Sequence, residues 1–352
     1  MTRRNKAILL LALTAALPVA AEESAVTTDN TTREAYLQAI PSLPETDRPQ
    51  FLKGRALVRQ VWVIPPSENR EIAGLGPLYN RISCIACHAG NGRGFVPAKP
   101  EEPMRTMLVR LSVPGNDEHG GPKPHPAYGG QLNENGVPGV QGEGRAEVRF
   151  IETTIKLNGG EKAKLRKPVI RFVNLAYGDF PSDILTSPRI APPIYGLGLL
   201  QAVAETDIVA LADARKPEGI KGRVNRVWDE AQQKTVLGRF GWKANMPDLR
   251  QQIAGAYVGD MGITSPLFPD ENCTAAQPAC QHAPPAGKPE LDKAQLDATE
   301  FYHFALAAPH QRNTQDKQVQ RGEALFKQTQ CGACHVPQLT TGEFAPLRAL
   351  SH

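Results

Sequence analysis

One short arrangement of reactive side chains occurs twice in this chain. The two segments are Cys84-Ile85-Ala86-Cys87-His88 and Cys331-Gly332-Ala333-Cys334-His335. Two thiols at this spacing can form thioether bonds with the two vinyl groups of haem, and the imidazole that follows then reaches the iron as an axial ligand. Because the chain has only 6 cysteines and 8 histidines in 352 residues, chance does not explain two copies. The sequence therefore predicts two covalently bound haem c groups, with His88 and His335 as proximal ligands.

Two other uses of paired cysteines fit poorly. The two pairs lie too far apart in sequence for one compact zinc finger, whose ligand pairs are close neighbours along the chain. A thioredoxin-like dithiol would need its thiols free, and no βαβ pattern surrounds either pair. The haem interpretation is therefore favoured, and it predicts a redox protein.

The first 21 residues resemble a secretory signal. Arg3, Arg4 and Lys6 precede an apolar stretch from Ala7 to Leu17, and small residues follow up to Ala21. The stretch is too short to span a membrane. We expect cleavage near Ala21 and a periplasmic or otherwise exported protein that is soluble, without a transmembrane span, after cleavage.

The two remaining cysteines, Cys273 and Cys280, lie in a Pro- and Ala-rich stretch. In an oxidising compartment we expect them to form a disulfide that closes a small loop, with free thiols as the alternative.

The charge of the chain limits its partners. The formal net charge is +4 and the sequence contains no polybasic block, which argues against nucleic acid. The expected partners are a small redox donor or acceptor protein, or a peroxide-like small molecule.

Hydrophobic periodicity predicts helices and one hairpin. Alternation over 147–157 and an apolar segment over 169–176, with Asn-Gly-Gly between them, predict a β-hairpin. Helical spacing predicts helices over 200–214, 246–257, 291–307 and 316–328, the last leading into the second Cys-x-x-Cys-His segment. The 31 glycines and 31 prolines predict long loops.

These features predict a mainly α fold with long loops and a small β-hairpin. The expected organisation is a signal peptide (1–21), a polar N-terminal segment (22–50), a first cytochrome c-like haem domain with insertions (51–290) and a second, truncated one (291–352). The second domain is expected to be incomplete because the sequence ends at residue 352, 17 residues after His335.

Longer segments resemble one known family. They are GPLYNRISCIACHAGNGRG (76–94), SPRIAPPIYGLGLLQAV (187–203), EGIKGRVN (218–225), LGRFGWKA (237–244), DMGIT (260–264), the Cys273/Cys280 pair, and RGEALFKQTQCGACHVPQLTTG (321–342). In this order they resemble the bacterial dihaem c-type oxidoreductases, also labelled thiol oxidoreductase-like, which are distant relatives of the dihaem cytochrome c peroxidases. Members of that family usually continue well beyond the second haem motif, including a His-Asp-Met-Gly segment, whereas this sequence stops at His352.

The distal iron ligands stay open at this level. The candidates are His119, His125, His282, His303, His310, His352, Met104, Met107, Met246 and Met261. Met261 is preferred because it stands in the family-like Asp-Met-Gly, although a buried core methionine is an ordinary alternative. The peroxidase relatives place a tryptophan between their haems, which makes Trp242 a candidate electron relay, with core packing as the alternative. Arg189 and Arg223 are candidates to pair with haem propionates, or they form ordinary surface ion pairs.

Three functions are compatible with these features. The favoured one is a peroxidase-like dihaem oxidoreductase, in which one haem accepts electrons and the other has an open distal position. The second is a cytochrome that only transfers electrons, with both irons saturated. The third is a truncated, non-catalytic relative.

Overall fold

The computed structural model describes residues 25–99, 101–287 and 289–351. The predicted signal peptide and His352 lie outside the described residues. Helices account for 28% of the structure and strands for 20%, so strand pairs are present in addition to the one predicted hairpin. No helix among the described residues is long and apolar enough to cross a membrane.

The helices and strands of the described residues are numbered in chain order. The helices are α1 (Arg48–Arg59), α2 (Leu197–Ala202), α3 (Glu205–Asp213), α4 (Leu249–Met261), α5 (Pro278–Gln281), α6 (Lys293–Ala305) and α7 (Lys317–Gln328). The strands are β1 (Thr27–Thr28), β2 (Leu78–Tyr79), β3 (Met107–Ser112), β4 (Asn135–Gly136), β5 (Arg145–Lys156), β6 (Lys162–Val173), β7 (Leu185–Ile190), β8 (Arg226–Asp229), β9 (Lys234–Leu237) and β10 (Ala308–Pro309).

These strands pair only two at a time. Antiparallel ribbons join β2 to β4, β3 to β7, β5 to β6, and β8 to β9, and a parallel pair joins β1 to β10. The hairpin of β5 and β6 has 12 residues in each strand. The prediction placed the first strand and the turn correctly, but the second strand begins at Lys162 and not at 169, because it follows the turn directly and pairs with β5 along its whole length. Alternation could not locate the β3–β7 ribbon, because its two strands are far apart along the chain.

The main core is built around α1, α4 and α6. Buried Phe51, Tyr257 and Tyr302 come from these three helices, and the ring centroids of Phe51 and Tyr302 lie 4.9 Å apart. Helices α1 and α6 approach closely at Gly54, where a Cβ atom would overlap the carbonyl oxygen of Ala298. Only glycine allows this separation, because any side chain would collide with the neighbouring backbone.

This core includes residues on both sides of position 290. Leu296 and Phe304 from α6 share it with Leu249 and Ile253 from α4. Helix α6 therefore packs in the same core as the elements that precede residue 290. The division into two cytochrome c-like domains stays a prediction.

Helix boundaries follow capping side chains and long-range contacts. Asp248 accepts a hydrogen bond from the backbone N–H of Gln251 at the start of α4, and Asp292 forms a reciprocal capping box with Gln295 at the start of α6. The helix predicted over 200–214 is divided, because Val203 adopts an extended backbone and pairs with Thr341. A distant backbone pairing thus overrides the local helical pattern.

Candidate haem sites

Both Cys-x-x-Cys-His segments form the same local turn. In the first, the N–H groups of Cys87 and His88 both donate to the carbonyl oxygen of Cys84, at 3.1 and 2.9 Å. In the second, those of Cys334 and His335 donate to Cys331, also at 3.1 and 2.9 Å. Each turn therefore brings two thiols and one imidazole close together, as double thioether attachment and iron ligation require.

The first turn is held against the main core. Its Cys84 and Ile85 pack on the core cluster, and the preceding residues Asn80 and Arg81 both donate their backbone N–H to the carbonyl oxygen of Asp260 in α4. These contacts join segments far apart in sequence. The first motif is consequently positioned by the tertiary fold as well as by its own turn.

The thiols of the first motif are protonated at neutral pH. Desolvation by the surrounding protein, reinforced by the negative charge of Asp260, raises the pKa of Cys84 and of Cys87 to about 12. The thiolate is the reactive form of cysteine, so this environment does not suit a dithiol redox catalyst. It is compatible with cysteines that are consumed in covalent attachment of a cofactor.

One of the two ring nitrogens of His88 forms a hydrogen bond with the backbone. Its Nδ1 lies 2.7 Å from the carbonyl oxygen of Pro192, which can only accept, so Nδ1 carries the proton. Desolvation lowers the pKa of His88 and favours the neutral ring. The lone pair is therefore on Nε2, as a proximal iron ligand requires, and the hydrogen bond fixes the orientation of the ring.

A partly buried arginine that no sequence pattern revealed lies near this motif. Arg110 on β3 pairs with Ser187 of β7, while Arg189 pairs with Leu108, so the two arginines are on one face of the ribbon. Desolvation lowers the pKa of both guanidinium groups, and the charge of Arg110 lowers that of Arg189 further. Asp260 acts electrostatically on Arg110 and also on the two thiols and the imidazole of the first motif, which places them all in one neighbourhood.

The two arginines fit the carboxylates of a haem. Nε of Arg110 is buried and has no hydrogen-bond partner among the described residues. Within the described part of the chain, neither Arg110 nor Arg189 forms an ion pair, although a desolvated cation is normally paired. A propionate would supply the missing acceptor and the negative charge. For Arg223, the other arginine considered from sequence, the described residues provide no hydrogen bond or ion pair towards this neighbourhood.

The second motif is displayed on the surface instead. Helix α7, which leads into it, has no buried residue. Around the motif the large apolar side chains are exposed: Leu325 by 46%, Phe326 by 41%, Val336 by 37% and Leu339 by 40%. The ring centroid of Phe326 lies 6.1 Å from that of His335. These side chains form an apolar surface that a porphyrin would cover.

The segment with the second motif is attached to the body at both ends. Before it, β10 pairs with β1; after it, Gly342 donates to the carbonyl oxygen of Ala202 at 2.7 Å. Phe344, Leu347 and Leu350 then return to the main core. The second motif thus lies on a surface excursion between two anchored points.

Two of the distal-ligand candidates are buried in the region of the main core. Met261 is 2% exposed at the end of α4, next to Asp260. His303 on α6 donates from Nδ1 to the carbonyl oxygen of Thr299 at 2.7 Å. Burial lowers the pKa of His303 to about 4, with a smaller contribution from His88 in the same direction. The charge of His88 in the first motif therefore contributes to the lowered pKa of His303.

The other candidates that the structure describes have different surroundings. His119 stacks on Trp228, His282 bonds to the carbonyl oxygen of Pro278, and His310 bonds to Thr27. The rest lie elsewhere: His125 beside Tyr128, Met104 and Met107 in the cluster around that tyrosine, and Met246 on the edge of the main core.

Trp242 contacts the end of β7, close to Pro192, whose carbonyl oxygen accepts the hydrogen bond from His88. Its side chain is 49% exposed, and its Nε1 donates to the carbonyl oxygen of Ile190 at 2.8 Å. Ile190 ends β7, two residues before Pro192. The guanidinium of Arg93 lies 5.6 Å from the centre of the indole ring. The indole therefore contacts, at the protein surface, the segment that orients the first imidazole.

The same loop leads towards the second motif. Arg239, three residues before Trp242, donates to the carbonyl oxygen of Val203 at 2.7 Å. Val203 in turn forms a bridge with Thr341, six residues after His335. The loop that carries Trp242 and Arg239 therefore contacts one segment close to each motif: the end of β7 near Pro192, and Val203, which pairs with Thr341.

The structure has a disulfide between Cys273 and Cys280, with their Cα atoms 5.6 Å apart. This disulfide packs in a small apolar cluster with Leu78 and Val137. The four cysteines of the two motifs form no disulfide.

Comparison with known proteins gives one family match. A family model described as "Di-haem oxidoreductase, putative peroxidase" matches residues 19–350, which is almost the whole chain. No curated protein and no solved structure matches it.

Proposed function

Because the chain belongs to the di-haem oxidoreductase family, we propose that it is an exported dihaem c-type cytochrome that acts in electron transfer as a peroxidase-like oxidoreductase. The observation that carries the proposal is the first motif, where two thiols and an imidazole with a free Nε2 meet near two arginines that lack an ion-pair partner among the described residues. The second motif repeats the turn and adds an apolar surface suited to a porphyrin.

Each motif has a definite role in this proposal. Cys84 and Cys87 would attach the first haem by thioether bonds, and Cys331 and Cys334 would attach the second. His88 and His335 would bind the irons, and the carbonyl oxygen of Pro192 keeps His88 in the tautomer that leaves Nε2 available. Arg110 and Arg189 would hold the propionates of the first haem by charge-assisted hydrogen bonds.

When bound, the two haems supply one-electron transfer and, where a distal position is open, the reduction of a peroxide-like substrate. The protein contributes the electron path. Trp242 contacts the segment that supports His88, and its loop reaches Val203 and Thr341. These contacts support a role for Trp242 as an electron relay between the two motifs, with a small redox protein as the external partner.

Export is part of the same proposal. Residues 1–21 have the charge and apolar pattern of a secretory signal, and Cys273 and Cys280 are joined in a disulfide. Structural disulfides persist in oxidising compartments such as the periplasm. The two observations therefore support the same location.

Met261 is the proposed distal ligand of the first haem, with His303 as the competing residue. Both are buried in the region of the main core. Substitution of each by alanine separates them, because the variant that removes the true ligand converts the first iron from low-spin to high-spin in its electron paramagnetic resonance spectrum. A change in neither variant would mean that the first iron takes no distal ligand from these two residues.

The test of the function is spectroscopic. The full-length protein, matured with haem, is expected to contain two covalently bound haems by mass, to show one high-spin iron by electron paramagnetic resonance, and to reduce peroxide. With Met261 on the first iron, the high-spin iron is the second. Two low-spin irons without peroxide reduction would indicate a pure electron-transfer cytochrome, and a single bound haem would indicate the non-catalytic alternative.

A further inference from the structure

The β5–β6 hairpin extends beyond the body of the protein. Near its base, Ala146 and Val148 are each 2% exposed and pack in the cluster around Tyr128, together with Phe150 and Phe172. Residues 151–160 are all exposed, and so are most of residues 161–169. The outer half of the hairpin therefore has two solvent-exposed faces.

Large apolar side chains are concentrated on one of these faces. The register pairs Arg149 with Val169, Ile151 with Lys167, Thr153 with Leu165, and Ile155 with Ala163. Alternate residues of a strand point to the same side, so these eight residues share one face of the ribbon. Its four large apolar members are between 37% and 56% exposed: Ile151, Ile155, Leu165 and Val169.

The formal net charge of the hairpin is more positive than that of the whole chain. Residues 145–173 contain eight Lys and Arg and three Glu, a formal net charge of +5, against +4 for all 352 residues. Arg149 and Lys167 are exposed on the apolar face itself. The opposite face of the outer part presents four more cations, which are Lys156, Lys162, Lys164 and Arg166. Within the described part of the chain, no ion pair involves the lysines of the hairpin.

We propose that the outer half of the β5–β6 hairpin docks the protein on an anionic phospholipid surface. The apolar face lies at the boundary between headgroups and acyl chains, where Arg149 and Lys167 meet the lipid phosphates directly. The three lysines of the opposite face can reach further phosphates around the edges of a ribbon only two strands wide, whereas Arg166 stacks over Phe150, 4.0 Å from its ring centre. Charge complementarity supports this occupant, because this one arm has a formal net charge of +5.

A lipid surface fits this arm better than a protein partner does. A stable protein interface uses roughly 20 to 30 residues on each side. The exposed apolar face offers only four large apolar side chains, on a two-stranded ribbon. Pairing with a second copy of the hairpin would bring two arms of net charge +5 together, which their repulsion opposes.

Vesicle sedimentation tests the proposal with the full-length, haem-loaded protein. Binding to vesicles that contain phosphatidylglycerol is expected, with little binding to pure phosphatidylcholine and a strong decrease at high salt. The double variant Arg149→Gln/Lys167→Gln is expected to lower the partition coefficient about 30-fold, since each basic residue near an anionic surface contributes about fivefold. The matched control, Arg215→Gln/Lys234→Gln, removes the same charge from exposed positions outside the hairpin and should change partitioning far less.

A second pair of variants tests the apolar residues. Ile151→Ser/Leu165→Ser is expected to weaken vesicle binding about tenfold or more, whereas Leu52→Ser/Ile220→Ser, at similarly exposed positions elsewhere, should not. Equal binding by all variants, equal binding to neutral vesicles, or dimerisation that disappears in the hairpin variants would overturn the proposal. The visible haem spectrum of each variant is recorded separately, so failure of the dihaem assignment would be recognised independently of vesicle binding.

Discussion

The two Cys-x-x-Cys-His regions have the same turn and opposite surroundings. The first lies against the main core, its imidazole is held by Pro192, and Arg110 stands nearby without an ion-pair partner among the described residues. The second follows a helix with no buried residue, and its apolar neighbours face solvent. Identical local chemistry therefore does not imply identical sites, because the packing and polarity of each site come from residues far away in sequence.

The largest test of this difference removes the cysteines that we propose attach the haems. Cys84→Ala/Cys87→Ala and Cys331→Ala/Cys334→Ala should each lose one haem by mass. The first pair should also destabilise the fold by roughly 3 to 5 kcal/mol, because its motif packs on the main core, while the second should cost less, because α7 contributes no buried residue to the protein core. Haem content and denaturant unfolding measure both effects.

If the first double variant does not fold, the single variant Cys87→Ala provides the same comparison with a smaller perturbation. Equal destabilisation by the two double variants would contradict the idea that only the first motif is part of the core.

Two glycines offer a matched comparison of helices near the motifs. Gly54→Ala in α1 places a Cβ atom against the backbone of α6 and should destabilise the protein by about 3 kcal/mol. Gly322→Ala in α7 meets no atom within 4 Å and should stabilise its helix by roughly 0.5 to 1 kcal/mol. Thermal unfolding distinguishes them, and a cost at Gly322 similar to that at Gly54 would show that α7 is packed after all.

Low pH should destabilise the folded protein through His303, which lies close to the first motif. Its pKa falls from an ordinary 6.5 to about 4 on folding, because burial disfavours the charged ring. Between these values the unfolded chain binds a proton that the folded chain does not. Stability is therefore fully present above pH 6.5 and is lost as the pH falls towards 4, by about 3 kcal/mol.

Denaturant unfolding of the haem-loaded protein at several pH values measures this loss. His303→Gln should flatten the pH dependence in that window, whereas Tyr302→Phe, a neighbour that does not titrate there, should retain it. An unchanged slope in the His303 variant would mean that other groups cause the acid sensitivity.

The smallest expected effect concerns the arginines. Arg110→Met should lower the reduction potential of the first haem by roughly 60 mV, a tenfold change for a one-electron couple, because a nearby cation favours the reduced iron. Arg223→Met is the control and should leave both potentials nearly unchanged. Spectroelectrochemistry resolves the two haems, and a shift at the second haem in the Arg110 variant would contradict its placement.

Local patterns predicted a substantial part of this molecule. The family assignment from ordered segments is confirmed by the match over residues 19–350. Alternating residues before an Asn-Gly-Gly turn marked the hairpin, and helical spacing marked α4, α6 and α7 within a few residues. These features depend on neighbours close in the chain, so the sequence displays them directly.

By itself, then, the sequence determined that two thiol pairs each precede a histidine and where short-range periodic elements form. Only the tertiary structure decided which motif packs against the core, that Pro192 orients His88, and that Arg110 joins Arg189 on one face of a ribbon. Leu325 and Phe326 of α7 illustrate the limit, because their helical spacing suggests burial in the protein core, while the fold places them on the surface that the proposed second porphyrin would cover. Burial and pairing depend on segments that meet only after folding, and no local pattern of side chains encodes which distant segment will arrive.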